Sequence, residues 1–437
     1  MVGYLSRWQG TGAFAAVSQG MAANMLTAAA TVLSGIVTAR YLGAAGRGEL
    51  AALTTLPAFV SFVVTFGLPS SVVYHARRDA EKGAAVTAAA LILALAAGAI
   101  GATGAYVAVP FVLTELAPEW LPAARALAVC VVLGSLSNVS MAVLQAQQRF
   151  IAFNYVRVAQ PILQLLGTLL LGAAGWLTPL TAALVVLLAG VPGIVWTCGW
   201  IVARVRPAWA HWRAAARELS SYGARAYSAE LLSALAAQVD RVIVVGIFAP
   251  AVMGMYVVAL SLSRLVTMFP SAIATVLFPK ASGRSQDDVL ELTTRASGAT
   301  LLVMGATALV LVALGPELLT LVYGADFEGA KVAFLLLLAE AVLTSLVQVQ
   351  SQAFMALNRP GLITWQYGVG VAVAVPLLFL LAPQWGAEGA AAALLLASVA
   401  RLACTHWCFT RVLGIEAPRM FASSVAVLRT VLAAARR

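Results

Sequence analysis

Long apolar runs follow one another along almost the whole chain, with short loops between them. A helix that crosses a bilayer needs about 20 predominantly apolar residues. Of the 437 residues, 62% are hydrophobic and 10% are charged, whereas soluble domains carry about 25% charged residues. We therefore predict an all-α polytopic membrane protein with twelve transmembrane helices, at residues 13–40, 50–74, 84–109, 122–147, 154–177, 180–203, 222–248, 252–279, 295–315, 330–356, 361–382 and 387–412.

The basic residues of the loops predict the orientation. If the N-terminus is cytoplasmic, the outer side carries Arg40, Arg47, Arg125 and Lys331, and most other Lys and Arg residues lie inside. Positive charge collects on the cytoplasmic side of membrane proteins. We therefore expect a multi-pass protein with both termini in the cytoplasm. The net charge of +10 is then a consequence of topology, and nucleic acid is not expected as a partner.

Two parts of the first half of the sequence recur in the second half. Gln148–Asn154 and Gln352–Asn358 both read Q-x-F-x-A-x-N at the end of a predicted helix. A weaker match aligns Ala16–His75 with Tyr222–Ala281. Because an even number of predicted helices separates the copies, both halves share one orientation. Such repeats are related by an axis along the membrane normal, with the substrate site at their interface.

The repeat predicts two pseudo-symmetric six-helix lobes around a central cavity. We place the N-terminal lobe at residues 1–203 and the C-terminal lobe at 222–412. A basic cytoplasmic linker, 204–221, joins them, and an amphipathic cytoplasmic tail, 413–437, follows the second lobe. Both connecting segments are rich in basic residues, as expected for chain that lies at the inner leaflet.

Charged residues inside the predicted helices mark the expected functional site. A charge in the bilayer core costs about 2.5–3.5 kcal/mol on insertion scales, so such side chains usually face a cavity and have a function there. The candidate cavity cations and acids are Arg241, Arg264, Arg401, Arg40, Arg157, Glu230, Asp240 and Glu340. We expect Arg40 and Arg157 at the mouths of the cavity, and we expect Arg264 to pair with Asp240 or Glu230.

Neutral polar residues share faces of several predicted helices. In membrane helices such residues either line a wet cavity or form hydrogen bonds between helices, and both readings stay open here. The candidates are Asn24, Asn138, Gln145, Gln348 and Gln352. The repeat aligns Asn24 with Glu230, so the charged side of the cavity is expected in the C-terminal lobe.

The cysteines offer little evidence for a metal site. Cys404, His406 and Cys408 are close in sequence, but on a helix the middle residue points away from the other two. Because a zinc site needs about four ligands that converge on one point, we interpret these residues as core packing and expect no metal.

The first hairpins of the two halves resemble those of a known family. Gly35–Leu50, which reads GIVTARYLGAAGRGEL, looks like the first hairpin of bacterial polysaccharide flippases of the O-antigen type. Val239–Gly246, which reads VDRVIVVG, and the following Gly254–Tyr256 are similar to the start of their second half. These flippases belong to the multidrug/oligosaccharidyl-lipid/polysaccharide exporter (MOP) superfamily.

The resemblance implies that the protein flips an undecaprenyl-pyrophosphate-linked oligosaccharide from the inner to the outer leaflet by alternating access, for polysaccharide biosynthesis. It also implies a place in the bacterial plasma (inner) membrane, among membrane lipids and alongside a polysaccharide polymerase and glycosyltransferases. The cationic lumen of the family matches the arginines above, because a guanidinium binds phosphate oxygens in a bidentate manner. No cofactor is expected, and the acids would couple transport to protons or sodium ions, or hold the arginines in place.

Two other functions remain as alternatives. A cation-coupled multidrug antiporter of the same fold would favour an acidic, aromatic-lined cavity, whereas the buried acids here are matched by buried arginines. A membrane-embedded polysaccharide polymerase or ligase commonly has a large extramembrane loop or an acidic catalytic motif, and the longest predicted outer loops are short. We therefore expect a transporter and not an enzyme.

Overall fold

The computed structural model of the protein describes residues 12–65, 67–78, 83–209, 212–267, 269–270, 273, 277, 281 and 285–414. Side chains are described for the same residues except 12–21, 222, 224–231, 233–234 and 236–237. Among the described residues, the regular elements are α, 3-10 and π helices, without a β-strand. The all-α prediction is therefore confirmed for this part of the chain. The predicted tail lies outside the described residues from position 415 onwards.

The chain divides into two units, Met1–Ala234 and Leu235–Arg437. The helices of the first unit are α1 (Gly12–Val64), α2 (Leu68–Arg78), α3 (Gly83–Val112), α4 (Leu121–Leu127), α5 (Cys130–Ala146), α6 (Phe150–Ala173), α7 (Pro179–Leu188) and α8 (Val191–Trp200). Helix α9 (Trp212–Ile247) begins in the first unit and ends in the second. Inside the first unit, α1 packs mainly against α6, and α3 packs mainly against α5.

The predicted linker is the beginning of a long helix. A π turn, Ile201–Val205, ends at Arg206 in the left-handed conformation. Helix α9 then runs without interruption past residue 222, so the end of the linker and the predicted seventh span form one helix. Its first turns are amphipathic: Leu219 is fully buried against α2, where its carbonyl oxygen accepts a 3.1 Å hydrogen bond from Ser71 Oγ. Arg213 and Arg217 lie on the exposed side.

Glycines with positive φ interrupt the two longest helices. Gly43 in α1 has φ 66° and ψ −173°. Gly386 has φ 55° and ψ −134° inside the longest helix of the second unit, Gly361–Trp407. These conformations are readily reached only by glycine because it lacks a β-carbon. Each glycine falls at or near the boundary between two predicted spans, so the loops expected there are sharp kinks.

The second predicted span is split, which the sequence analysis did not foresee. Helix α1 ends at Val64 and α2 begins at Leu68. Between them Gly67 has φ 65°, and Pro69 follows in the first turn of α2. A glycine with positive φ ends one helix, and a proline fits the first turn of the next because its missing N–H has no helical partner there.

Among its described residues, the second unit contains the end of α9 and four further α-helices, α10 (Pro250–Ser263), α11 (Gln286–Tyr323), α12 (Lys331–Ala356) and α13 (Gly361–Trp407). A 3-10 turn (Arg264–Thr267) follows α10, a second 3-10 segment (Ala325–Ala330) precedes α12, and a π turn (Cys408–Val412) follows α13. Helix α12 packs against α10, α11 and α13, and many of its side chains are buried. A buried apolar cluster of this unit contains Phe354 of α12 and Phe409 of the π turn, whose ring centroids lie 4.6 Å apart.

Within the described residues, nine helical segments are long and apolar enough to cross a membrane. They are Ala22–Val64, Gly83–Val112, Pro118–Ala146, Phe150–Ala173, Pro179–Val205, Pro250–Thr267, Gln286–Tyr323, Ala325–Ala356 and Gly361–Val412. The predicted span 222–248 is helical as part of α9, but it is not among these nine. The protein is thus a multi-pass, helical membrane protein.

Candidate functional site

The candidate site is centred on Glu340, a buried carboxylate in the central helix α12. Its exposed fraction is 4%. Oε1 accepts hydrogen bonds from Thr344 Oγ1 at 2.6 Å and from Ser398 Oγ at 3.1 Å. Oε2 lies 3.1 Å from Nη1 of Arg264. A buried charge is tolerated when it is both paired and hydrogen-bonded, and Glu340 meets both conditions.

Helix geometry brings these partners together. Thr344 lies one turn after Glu340 on the same face of α12, since residues four apart are neighbours on a helix surface. Ser398 comes from the second half of α13, after the kink at Gly386. Arg264 is the residue at which α10 gives way to the 3-10 turn, and Thr267 Oγ1 donates a 2.7 Å hydrogen bond to its carbonyl oxygen.

The second buried acid, Asp240, has a different partner. Its exposed fraction is 5%, and Oδ2 accepts a 2.7 Å hydrogen bond from the hydroxyl of Tyr256. Tyr256 is fully buried in α10. Arg264 was expected to pair with Asp240 or Glu230, but the structure pairs it with Glu340, so that expectation was wrong with respect to Asp240. The side chain of Glu230 lies outside the described residues.

Arg401 is the second cation of the site. Glu340 is near enough to attract it electrostatically, but the two side chains form no ion pair. Its Cζ lies 5.0 Å from the ring centroid of Tyr367. In the part of the chain that the structure describes, Arg401 forms no ion pair, and its buried Nε has no hydrogen-bond partner. The charge of Arg264 is balanced by its ion pair with Glu340. Arg401 is therefore the cation better placed to bind an anionic ligand.

A pocket joins these groups in the second unit. Both acids and both arginines line it, together with Ser398. The rest of the wall is apolar or small: Val239, Gly370, Val371, Ala374, Leu394 and Ala397. The pocket thus presents two guanidinium groups and two carboxylates among small and apolar side chains. Charge–charge interactions there are stronger than in bulk water.

Among the described side chains, the other predicted cavity residues do not line this pocket. Arg241 follows Asp240 in α9, is half-buried and does not line it. Gln348 and Gln352 continue the polar face of α12, and Gln352 Nε2 donates a 3.4 Å hydrogen bond to the carbonyl oxygen of Gln348. Their bond runs along the helix, so it does not connect neighbouring helices.

The candidates of the first unit occupy separate positions within it. Asn24 and Arg40 are exposed on α1, and Asn138 and Gln145 are half-buried on α5. Arg157 is half-buried on α6, with its Cζ 5.5 Å from the ring centroid of Phe153. Whether these five residues contact a substrate stays a prediction.

Sequence reasoning missed four residues of the site. Tyr256, Tyr367, Gly370 and Ser398 were not candidates, although Ser398 lies three residues before Arg401 and therefore on its helix face. That spacing could have identified Ser398 from the sequence. The two tyrosines and the glycine could not have been identified in this way, because their roles depend on which helices pack together.

Among the described residues, no group of three or more His, Cys, Asp or Glu side chains could hold a metal ion.

Residues 37–332 match the family described as polysaccharide biosynthesis protein. Among curated proteins, none matches the sequence. The match covers more than half of the chain and includes Asp240, Arg241 and Arg264. Glu340 and Arg401 lie beyond its end.

Several solved transporters share the fold. The structure of the lipid II flippase MurJ, in an inward closed conformation, is similar to this chain with a TM-score of 0.76 at 13% identity, over 94% of this chain and 91% of its own. An inward-facing multidrug resistance MATE family transporter of the MOP superfamily has a TM-score of 0.69 at 15% identity, over 92% of this chain and 96% of its own. A MOP superfamily transporter from Pyrococcus furiosus has a TM-score of 0.62 at 15% identity, over 91% of this chain and 95% of its own.

These identities are low enough that the likeness to solved structures establishes the fold alone. The family match and the fold agree with each other and with the resemblance found in the first hairpins. The chain belongs to the polysaccharide biosynthesis protein family and has the fold of the MOP superfamily transporters.

Proposed function

We propose that the protein is an alternating-access flippase that moves an undecaprenyl-pyrophosphate-linked oligosaccharide from the inner to the outer leaflet for polysaccharide biosynthesis. The family match supports a role in making polysaccharide, and the fold supports transport. The observation that carries the proposal is the pocket with Arg401 at its wall, a cation that forms no ion pair with a carboxylate among the described residues.

Arg401 suits a pyrophosphate for chemical reasons. A guanidinium presents N–H donors in a planar fork that matches two phosphate oxygens at once. Arg264 supplies a second positive charge in the same pocket, while Glu340 holds its guanidinium in place. In this proposal Arg401 makes the main contact with the diphosphate.

We propose that the membrane architecture is the twelve-helix, two-lobe arrangement expected from the repeat. Ala22–Val64 contains 43 residues and Gly361–Val412 contains 52. At 1.5 Å per residue such helices are about twice as long as the roughly 30 Å bilayer core. Each has its kink near the middle, at Gly43 and Gly386, which supports two spans from each segment. Helix α9 would supply the remaining span.

The loop charges support the orientation in this proposal, with both termini cytoplasmic in the bacterial inner membrane. The polymerase and glycosyltransferases that make and extend the glycan are proposed as partners. We further propose that protons or sodium ions drive the cycle. Asp240 and Glu340 are the candidate coupling acids because both are buried carboxylates at the pocket.

A multidrug antiporter is the second candidate function, since one of the solved structures with this fold is a multidrug transporter. The site favours the flippase. Both pocket acids already have partners: Tyr256 for Asp240, and Arg264, Thr344 and Ser398 for Glu340. A cationic drug would have to displace these donors, whereas an anion meets Arg401 directly.

Replacement of Arg401 by Ala tests the proposal in a cell whose surface polysaccharide depends on this protein. We expect surface polysaccharide to fall at least tenfold, since a charged hydrogen bond is worth about 1.5–3 kcal/mol. Lipid-linked oligosaccharide should accumulate in the cells. The control is Arg411→Ala, which changes an exposed arginine in the π turn that ends the same helix.

Normal polysaccharide export by Arg401→Ala at equal expression would contradict the proposal. Loss of resistance to cationic dyes in that variant, with export intact, would instead favour the antiporter.

A further inference from the structure

The position of Arg401 depends on the absence of a side chain at Gly370. Gly370 is buried in the first half of α13, where it lines the pocket. A β-carbon added to it would lie 2.5 Å from Cδ, 2.9 Å from Cγ and 3.4 Å from Nε of Arg401. Non-bonded carbons normally stay about 3.5–4.0 Å apart. The aliphatic stem of Arg401 therefore occupies the space that any larger residue at position 370 would fill.

Tyr367 provides the second contact with the same side chain. It lies three residues before Gly370, so the two residues share one face of α13. The ring centroid of Tyr367 is 5.0 Å from Cζ of Arg401, which is within the range of a cation–π interaction. One helix face thus offers a gap for the stem of the arginine and an aromatic surface for its guanidinium.

A buried polar cluster fixes the backbone on either side of this contact. Gln366 Nε2 donates a hydrogen bond to Thr405 Oγ1, which donates a 2.8 Å bond to the carbonyl oxygen of Arg401. Ser351 Oγ of α12 donates a 2.9 Å bond to Gln366 Oε1. Gln366 and Thr405 are both essentially inaccessible to solvent. The cluster sets the distance between the two halves of α13 next to Gly370 and Arg401.

We propose that Gly370 and Tyr367 are positioning residues that hold the guanidinium of Arg401 in a single orientation at the pocket wall, ready to bind a diphosphate. This inference rests on the proposed function, in which Arg401 is the anion-binding residue. A planar donor fork binds two phosphate oxygens only when its plane is correctly set. The absence of a side chain at Gly370 leaves room for the aliphatic stem of Arg401, and the ring of Tyr367 packs against its guanidinium. The hydrogen bonds around Gln366 hold Gly370 and Tyr367 at a fixed distance from Arg401.

Binding of undecaprenyl pyrophosphate to the purified full-length protein tests the inference, with the neutral lipid undecaprenol as the comparison ligand. The variants are Gly370→Ala, Arg401→Ala and the combination of the two. Gly305→Ala in α11 is the matched control, because a β-carbon there meets no atom within 4 Å. We expect Gly370→Ala and Arg401→Ala each to weaken binding of the pyrophosphate at least tenfold. Gly305→Ala should bind as the wild type does, and undecaprenol should bind all variants equally.

The double variant distinguishes positioning from a general effect on packing. If Gly370 acts through Arg401, the combined variant binds no more weakly than Arg401→Ala alone, because coupled residues show non-additive losses. Multiplied losses would show that Gly370 acts independently and would overturn the inference.

The single variants separate this inference from the proposed function. Wild-type binding by Arg401→Ala would overturn the proposed role of Arg401 and the positioning with it. Weak binding by Arg401→Ala together with normal binding by Gly370→Ala would overturn the positioning alone. If Gly370→Ala does not fold, Tyr367→Leu decides: it should weaken pyrophosphate binding without changing undecaprenol binding, and wild-type affinity for the pyrophosphate would contradict the inference.

Discussion

At the scale of single residues, the pocket is a set of charges that each need a specific partner. Glu340 accepts two hydroxyl hydrogen bonds and forms an ion pair with Arg264. Asp240 accepts a hydrogen bond from Tyr256, whereas Arg401 faces an aromatic ring and forms no ion pair among the described residues. A buried charge without an ion pair costs several kcal/mol. The difference between Arg401 and Arg264 is therefore the feature of the site that needs a functional explanation.

The Arg264–Glu340 pair makes a prediction about stability. Glu340→Gln keeps an acceptor for Thr344 and Ser398 but leaves the charge of Arg264 without its counterion. Because the side chain of Arg264 is 36% exposed, solvent screens part of the loss, and we expect about 1–3 kcal/mol of destabilisation. The measurement is the thermal unfolding midpoint in detergent of Glu340→Gln, Arg264→Gln and the double variant.

The double variant should lose less stability than the sum of the two single variants, since it removes both charges together. Additive losses would show that the two side chains do not interact in the folded protein.

Contacts between residues that are close in sequence could be predicted, whereas contacts between distant parts of the chain could not. Glu340 was a candidate because it is a charge inside an apolar helix, and its contact with Thr344 follows from helix geometry, since four residues make about one turn. The Arg264–Glu340 pair joins two helices, and its formation depends on their rotation and depth, which no local pattern specifies. The same limit applies to Gly370, because a glycine becomes informative only when the side chain that fills its space is known.

At the scale of elements, the apolar runs predicted where most helices lie, and the breaks between them were less predictable. The predicted loop around Gly43 is a single kinked residue within α1. The predicted linker continues directly into α9, because its apolar residues pack against the first unit while its arginines stay exposed. Hydropathy measures how apolar a segment is, and it does not tell whether the segment contacts lipid or protein. It could therefore not show that the predicted linker is a helix packed against the first unit.

The kink at Gly43 makes the prediction at this scale. Its φ of 66° and ψ of −173° lie in a region that is essentially restricted to glycine, so an alanine there costs about 1–3 kcal/mol. Gly43→Ala should therefore lower the thermal unfolding midpoint. Gly104→Ala in α3 is the matched control, because its added β-carbon meets no atom within 4 Å and alanine favours a helix over glycine by about 1 kcal/mol.

Equal midpoints for Gly43→Ala and Gly104→Ala would mean that the kink carries no conformational constraint. This result would also remove one argument for two membrane spans within Ala22–Val64.

At the scale of the whole molecule, the account joins a family of polysaccharide biosynthesis proteins to a transporter fold. The sequence predicted this class through its apolar runs, its internal repeat and its two hairpin resemblances. The repeat also predicted a chemical asymmetry, with the charged residues in the second half. The pocket of the second unit contains Asp240, Glu340, Arg264 and Arg401. Arg241 does not line it, and the side chain of Glu230, with which the repeat aligned Asn24, lies outside the described residues.

The central claim is that this protein moves a pyrophosphate-linked oligosaccharide across a bilayer with Arg401 as its anion-binding residue. The most direct test reconstitutes the purified protein into liposomes that contain an undecaprenyl-pyrophosphate oligosaccharide. A membrane-impermeant glycosidase added outside then reports how much glycan reaches the outer leaflet. The account predicts that wild-type and Arg411→Ala liposomes expose the glycan rapidly, and that Arg401→Ala liposomes do so at least tenfold more slowly. Wild-type liposomes that expose glycan no faster than protein-free liposomes, or Arg401→Ala liposomes that match the wild type, would contradict it.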